Sequence, residues 1–352
     1  MEFASDNSSG AAPEIMAAVN AVNAGYAPSY GADPAMERVR ALIREAFEAP
    51  EAAVYLVATG TTANALSLAT HCPPWAAVYA HAEAHVELDE CGAPEFFIGG
   101  GKIVRVAGTH GKMTPETLRR SIELTPQGFV HSVQRGVVSV TNTTEAGTVH
   151  SPAEITALSE VAKSFGLPLH LDGARFANAV VATGATPAEM SWKAGVDVLS
   201  FGGTKNGCMG VEAVVIFDPA KAWEFELRRK RAGHLFSKHR YLSAQMEAYL
   251  TDGLWLRLAK AANDRAAELE AAVLAVPDAR LMHPREANIL FAYLPRGVHR
   301  RAMAVGAHYY LWPFDQSLGG PDDAPLSARF VCSWCTDAAD IDAFARAIRD
   351  PD

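Results

Sequence analysis

The spacing of apolar residues divides the chain into alternating short and long segments. In 34–48, "PAMERVRALIREAFE", apolar residues recur at Met36, Val39, Leu42, Ile43 and Phe47, which predicts an amphipathic helix. The short apolar run "AAVYLVA" (52–58) then predicts a strand, and "TGTTANALSLATH" returns to helical spacing. Further on, "GVVSVT" (136–141), "LPLHLD" (167–172) and "VDVLSFG" (196–202) are strand-sized runs ending in polar residues or glycine. Two segments between them carry helix start and stop residues. "SPAEITALSEVAKSFG" (151–166) has Ser151 as N-cap, Pro152 in the first turn and Gly166 as the stop; "TPAEMSWKAG" (186–195) repeats the pattern with Thr186, Pro187 and Gly195.

Strand, helix, strand, helix, strand implies an α/β fold with a mostly parallel sheet flanked by helices. Ligands of such sheets bind beyond the carboxyl ends of the strands, so the residues that end these runs are the candidates for a site. After about residue 245 the texture changes. A long amphipathic helix (255–276), strand patterns at 287–294, 308–312 and 328–334, a helix near 299–306 and a last helix from about 337 predict a smaller α+β unit. The expected division is a large domain, 1–245, and a small C-terminal domain, 246–352.

Composition narrows the function classes. Of 352 residues, 49% are apolar and 20% charged, an ordinary globular balance. The net charge of −9 is spread without a basic tract, so nucleic-acid binding has little support. No apolar run approaches the roughly 20 residues that cross a bilayer, and "MEFASDNSSG" lacks the features of a signal peptide, so a cytoplasmic protein is expected. Five cysteines at irregular spacing read as free thiols. The "CSWC" pair, Cys332 and Cys335, lies on a strand pattern that points positions i and i+3 to opposite faces, so no redox or zinc role is assigned. No cluster of metal ligands is evident.

Three strand ends carry chemistry. Asp172 ends "LHLD"; alone it reads equally well as a helix-capping carboxylate. Lys205, in "LSFGGTKNG", follows the next strand and should open onto the same edge, where a lysine in a dry pocket forms an imine with a carbonyl. Gly202 and Gly203 before it imply a close approach to the backbone, which we expect a cofactor to make. Gly60, Thr61 and Thr62 begin a helix after a strand and supply amides and hydroxyls for an anion, although threonine capping alone explains them too. Phosphate cradle, carboxylate and imine-forming lysine, in that order, are what pyridoxal phosphate needs: the acid keeps the pyridine nitrogen cationic and the ring accepts electrons.

With these residues in view, the chain resembles the threonine aldolase / beta-eliminating lyase family of fold-type-I pyridoxal-phosphate enzymes, in particular its low-specificity L-threonine aldolases. The resemblance rests on "FASDNSSG" (3–10), "YGADP" (30–34), "ATGTTAN" (58–64), "EAHVELDECGAPEFF" (83–97), "LHLDGARFANA" (169–179), "FGGTKNG" (201–207) and "ARFVCSW" (328–334), in the family's order. It implies that Lys205 bonds the cofactor, that Asp172 faces the pyridine nitrogen and that Gly60, Thr61, Thr62 and Thr204 hold the phosphate. By the same resemblance His85 lies over the ring near the bond that breaks, Asn142 bonds the ring's 3-oxygen, and Arg175, Arg329 and Ser5 take the substrate's carboxylate. The acids after His85, namely Glu87, Asp89 and Glu90, receive no role and read as a solvated or capping cluster.

The family often has "ENTH" where this chain reads "TNTTEAG", which places Thr144 at a position near the substrate hydroxyl. Tyr30, and Lys230 or Lys238, are the candidates for reaching a neighbouring subunit's site, since the family forms dimers or dimers of dimers. The implied reaction is cleavage of threonine, allo-threonine or another β-hydroxy-α-amino acid to glycine and an aldehyde. Phenylserine or 3-hydroxyaspartate cleavage, β-elimination, and a non-catalytic cofactor-binding protein remain as alternatives.

Overall fold

The structure, a computed structural model, describes residues 1–349. In chain order its strands begin with β1 (Ala53–Val57), β2 (Ala76–His81) and β3 (Lys102–Val106). A small hairpin of β4 (Gly108–Thr109) and β5 (Lys112–Met113) follows, then β6 (Gln134–Thr141), β7 (Leu169–Gly173), β8 (Val198–Gly202) and β9 (Glu212–Ile216). Apart from the hairpin these make one sheet, in the order β1-β9-β8-β7-β6-β2-β3. The neighbours from β3 to β8 are all parallel, whereas β9 runs antiparallel to both β8 and β1. Central strands are buried on both faces, which is why β7 and β8 read as continuous apolar runs rather than alternating ones.

The expected helix at 151–166 forms over Pro152–Ser164, with Ser151 and Glu154 in a reciprocal capping box. The expected helix at 186–195 does not form. Thr186 and Glu189 do cap each other, at 2.9 and 3.2 Å. However, the Ser191 hydroxyl donates to the Pro187 carbonyl at 2.6 Å, and Ser191 leaves helical geometry at φ −136°, ψ −109°. Only a short 3-10 turn, Trp192–Ala194, follows. The helix between β7 and β8 is Phe176–Thr183 instead, stopped by Gly184 at φ 68°. Its first five residues are all buried, so it shows no amphipathic stripe.

A second sheet contains β10 (Arg280–Leu281), β11 (Ile289–Pro295), β12 (Tyr310–Leu311) and β13 (Pro325–Val331), antiparallel throughout in the order β10-β11-β13-β12. The helix Leu254–Leu274 joins the two cores: Leu254, Trp255, Leu258 and Ala259 pack beneath the first sheet, and Ala266, Leu269, Ala272 and Val273 beneath the second. Residues at the start of the chain pack on the second sheet. Phe3 is fully buried against Phe344, with ring centroids 5.3 Å apart, and its backbone bonds to His308 and Val331. Burying one such ring stabilises by roughly 1.5–3 kcal/mol, enough to hold the following residues over the first sheet's edge.

Candidate active site

The turns that leave β1, β2, β6, β7 and β8 meet at one edge of the first sheet and line a cavity of about 410 Å³. Glu212 opens the antiparallel β9, so it reaches the same edge. An outer cavity of about 520 Å³ shares His85, Glu145, Arg175 and Lys205 with the inner one and extends to Phe291, Trp312 and Arg329 of the second sheet region.

The helix Gly60–His71 begins at the inner cavity. Thr59 is its N-cap, and its hydroxyl accepts from the Thr62 amide at 3.2 Å. Gly60 and Thr61 line the cavity, and the first amides of a helix have no acceptor within it. A Cβ at Gly60 would meet no atom within 4 Å, so the backbone there is open to an incoming anion. Thr62 is turned away: its hydroxyl lies 2.8 Å from His234 Nε2, and it does not line the cavity.

Asp172 and Lys205 end neighbouring strands and face the same cavity. Asp172 is buried; its Oδ2 accepts from Asn64 Nδ2 at 2.9 Å and its Oδ1 from the Ala174 amide at 3.0 Å. Burial pushes the Lys205 ammonium below its ordinary pKa, and the charge of Arg175 acts the same way against the pull of Asp6, Asp172 and Glu212. Glu212 is itself raised by burial to about 7, although the Gly203 amide donates to it at 2.7 Å. Thr204 lines the cavity while its hydroxyl accepts from the Val211 amide at 3.1 Å. The two glycines before it answer to the protein's own backbone. A Cβ at Gly202 would lie 2.3 Å from the Ala174 carbonyl oxygen and one at Gly203 2.7 Å from that of Val211.

His85 opens a short helix after β2 and lines both cavities. Its Nδ1 lies 2.9 Å from Glu90 Oε1, and its amide donates to Glu145 Oε1 at 2.8 Å. The Glu90 bond outweighs burial and raises the imidazole's pKa. Of the three acids after His85, Glu87 pairs with Arg105 and Asp89 is exposed at the cavity, but Glu90 is fully buried, contrary to the solvated reading. Glu145, raised by burial to about 7, and Asn64 are further cavity residues that spacing did not single out.

Arg175 lines both cavities, yet its guanidinium is already engaged. Nε donates to Asp6 Oδ2 at 2.6 Å and Nη2 to Oδ1 at 2.9 Å. Arg329 lines the outer cavity. Its Nη2 donates to the Ala4 carbonyl at 3.2 Å, its buried Nε has no hydrogen-bond partner among the described residues, and its guanidinium sits 5.0 Å from the Trp312 ring centroid. Burial and the charge of Arg175 both lower its pKa, so the two cations repel and a carboxylate between them would relieve both. Ser5 lines the same cavity while its hydroxyl accepts from the Asn7 amide at 3.1 Å.

Besides Thr62, three expected site residues do not line either cavity. Asn142 is fully buried and spends both ends of its amide on His150 backbone, at 3.0 Å each; its neighbour Thr143 lines the cavity instead. Thr144 is also buried, bonded to the Thr148 hydroxyl at 2.8 Å, and the next residue, Glu145, reaches the cavity. Tyr30 is exposed on the surface at φ 59°, with the Lys230 ammonium 5.1 Å from its ring centroid.

An open helix N-terminus, a buried acid and a desolvated lysine around one cavity fit the phosphate, ring nitrogen and carbonyl of pyridoxal phosphate. Sequence comparison agrees. The chain is 43% identical to the low specificity L-threonine aldolase of Pseudomonas aeruginosa over 348 residues, 99% of this chain and 97% of that protein. It is 42% identical over the same length to that of a Pseudomonas species. The solved structure of Leishmania major threonine aldolase superposes with a TM-score of 0.90 at 28% identity, covering 99% of this chain and 98% of that one. Serine palmitoyltransferase of Sphingomonas wittichii shares the fold alone, with a TM-score of 0.69 at 12% identity, covering 99% of this chain and 86% of the other. The family profile described as beta-eliminating lyase matches residues 2–295, and the chain therefore belongs to that family of fold-type-I pyridoxal-phosphate enzymes.

Proposed function

We propose that the chain is a low-specificity L-threonine aldolase, cleaving L-threonine, L-allo-threonine and related β-hydroxy-α-amino acids to glycine and an aldehyde. The observation that carries this reading is the meeting of Lys205, Asp172 and His85 in one cavity that opens toward Arg329. Full-length similarity to two aldolases supports the same reaction. When bound, pyridoxal phosphate supplies an electron sink for the pair released as Cα–Cβ breaks.

The chain's own groups do the rest. Gly60, Thr61 and Thr204 would hold the phosphate, and Lys205, whose pKa burial lowers, would be the residue that takes the cofactor's carbonyl. Asp172, fixed by Asn64 and the Ala174 amide, would be the partner of the ring nitrogen. Arg329 and Arg175, with Ser5, fix the substrate carboxylate in the outer cavity, and that orientation decides which bond at Cα is cleaved. His85 takes the β-hydroxyl proton. The exposed pair Tyr30 and Lys230 supports a homo-oligomer in which this surface meets a neighbouring subunit's site.

The test is direct. Purified protein with pyridoxal phosphate and threonine is coupled to an alcohol dehydrogenase that consumes acetaldehyde, and glycine is quantified. Equal amounts of glycine and acetaldehyde are expected. Ammonia and a keto acid without glycine would mean β-elimination and would overturn the proposal. A panel of threonine, allo-threonine and phenylserine sets the side-chain range.

A further inference from the structure

Asn64 gives both hydrogens of one amide nitrogen to two different acids. Its Nδ2 lies 2.9 Å from Glu90 Oε1 and 2.9 Å from Asp172 Oδ2. The same Glu90 oxygen lies 2.9 Å from His85 Nδ1. Asp172, Asn64, Glu90 and His85 therefore form one continuous chain of hydrogen bonds from the end of β7 to the histidine. Cys91 at φ 53° and Gly92 at φ 71° turn the backbone directly after Glu90. The Glu90 side chain is fully buried, whereas that of His85 is 35% exposed toward the cavity. Burial raises the Glu90 carboxyl's pKa, but the bonds from Asn64 and His85 favour its carboxylate, which accepts from Nδ1–H and leaves Nε2 of the neutral ring its lone pair.

We propose that Glu90 is a positioning residue for the cleavage, holding His85 as the Nδ1-protonated tautomer so that Nε2 receives the β-hydroxyl proton, with Asn64 tying this pair to Asp172. The proposal rests on the aldolase reading above. The O–H proton passes to Nε2 and the O–H electron pair becomes the second bond of the aldehyde carbonyl. The Cα–Cβ pair stays with Cα, which is then protonated to give glycine, so the step neither gains nor loses electrons. Asp172 also favours the His85 cation, while Lys205 opposes it; Glu145 accepts from the His85 amide and Asp89 lines the same cavity. Glu90 alone among them bonds the ring, and its hydrogen bond is the largest influence raising the imidazole's pKa.

The experiment compares holoenzyme and Glu90→Gln by the pH dependence of kcat/KM and by NMR titration of the His85 ring, its resonance assigned through its loss in His85→Asn. Glu90→Gln should keep the cofactor's absorbance, lose about tenfold or more in kcat/KM near neutral pH, and move both the acidic limb and the His85 titration to lower pH. In a His85→Asn background the same change should cost less than about twofold, because Glu90 acts through the ring. A loss that is equal at every pH with the titration unmoved, or one that multiplies fully in the double variant, overturns the proposal. Should Glu90→Gln fail to fold, Glu90→Asp gives the same readouts; an unmoved His85 titration there also overturns it. If the wild-type protein releases no aldehyde while its His85 titration still moves with Glu90, the aldolase reading fails and the pairing stands.

Discussion

Asp6, near the start of the chain, clamps Arg175, two residues beyond the end of β7, through two parallel hydrogen bonds of 2.6 and 2.9 Å. Asn288, just before β11, donates to the same carboxylate at 3.1 Å. One acid thereby ties the amino-terminal segment, the first sheet and the second sheet at the mouth of the cavity. Burial alone would raise the Asp6 pKa, but Arg175, Lys205 and Asn288 together bring it below the ordinary value. Asp6→Asn would leave Arg175 without its anion, with only 15% of its side chain exposed to water. The expected cost is about 3 kcal/mol of stability, together with a rise in KM for threonine larger than the fall in kcat. Because the native pKa is depressed, the pair's contribution is present above the ordinary aspartate range and is lost as pH falls through the lowered value. Urea unfolding at pH 7 and in acid, with steady-state kinetics, reads both effects; unchanged KM would show that Arg175 does not need Asp6 to face the substrate.

In the proposed function Lys205 and Asp172 divide the work of holding the cofactor. Lys205→Ala should abolish both the visible-edge absorbance of the lysine-bonded cofactor and the release of aldehyde, since no other lysine lines either cavity among the described residues. Asp172→Asn should still bind cofactor but turn over slower by orders of magnitude, because a neutral amide does not hold the ring nitrogen cationic. Absorbance spectra and single-turnover rates separate the two. A Lys205→Ala protein that cleaves threonine at the normal rate would remove the central assignment.

Much of this arrangement was legible as strand ends. Asp172 and Lys205 each close a run of apolar residues, and a parallel sheet brings the ends of neighbouring strands together whatever the loops do. The glycines near Lys205 were misread because spacing cannot say what approaches them, and here it is the carbonyls of Ala174 and Val211. Asp6 and Glu90 were illegible for a different reason. Each sits in a short polar run that looks solvated, "SDNSSG" or "ELDE", and only long-range packing turns one acid of the run inward. Asn142 and Thr144 show the converse. Their side chains are consumed inside their own turn, by His150 and Thr148, so Thr143 and Glu145 face the cavity.

Arg329 has an idle donor. Its buried Nε has no hydrogen-bond partner among the described residues, while the flanking Nη2 is held by the Ala4 carbonyl and the plane rests near Trp312 and Tyr310. A carboxylate that accepts from this edge is bound in ground state and transition state alike, so Arg329→Lys should raise KM by about tenfold or more with a smaller change in kcat, since lysine lacks the planar fork. Trp312→Ala should raise KM less, by loosening the guanidinium. Steady-state kinetics with threonine checks both; an equal fall in kcat and kcat/KM for Arg329→Lys would mean that its contact forms only in the transition state.

Glu212, at the edge of the inner cavity, gives the molecule's stability a pH dependence. Its carboxyl is 6% exposed, and burial raises its pKa from 4.5 to about 7. Between those values the folded protein binds more protons at this position than the unfolded chain does, so its contribution to stability falls as pH rises from about 4.5 to about 7 and stays low above that range. At about 1.36 kcal/mol per pKa unit, roughly 3 kcal/mol is at stake. Glu212→Gln keeps an oxygen for the Gly203 amide but cannot ionise, so its stability relative to wild type should rise with pH, by an amount of that order between pH 5 and pH 8. Urea unfolding of both proteins at the two pH values measures the difference. A gap that stays constant with pH would mean that Glu212 is ionised in the fold, held so by the neighbouring Lys205 cation.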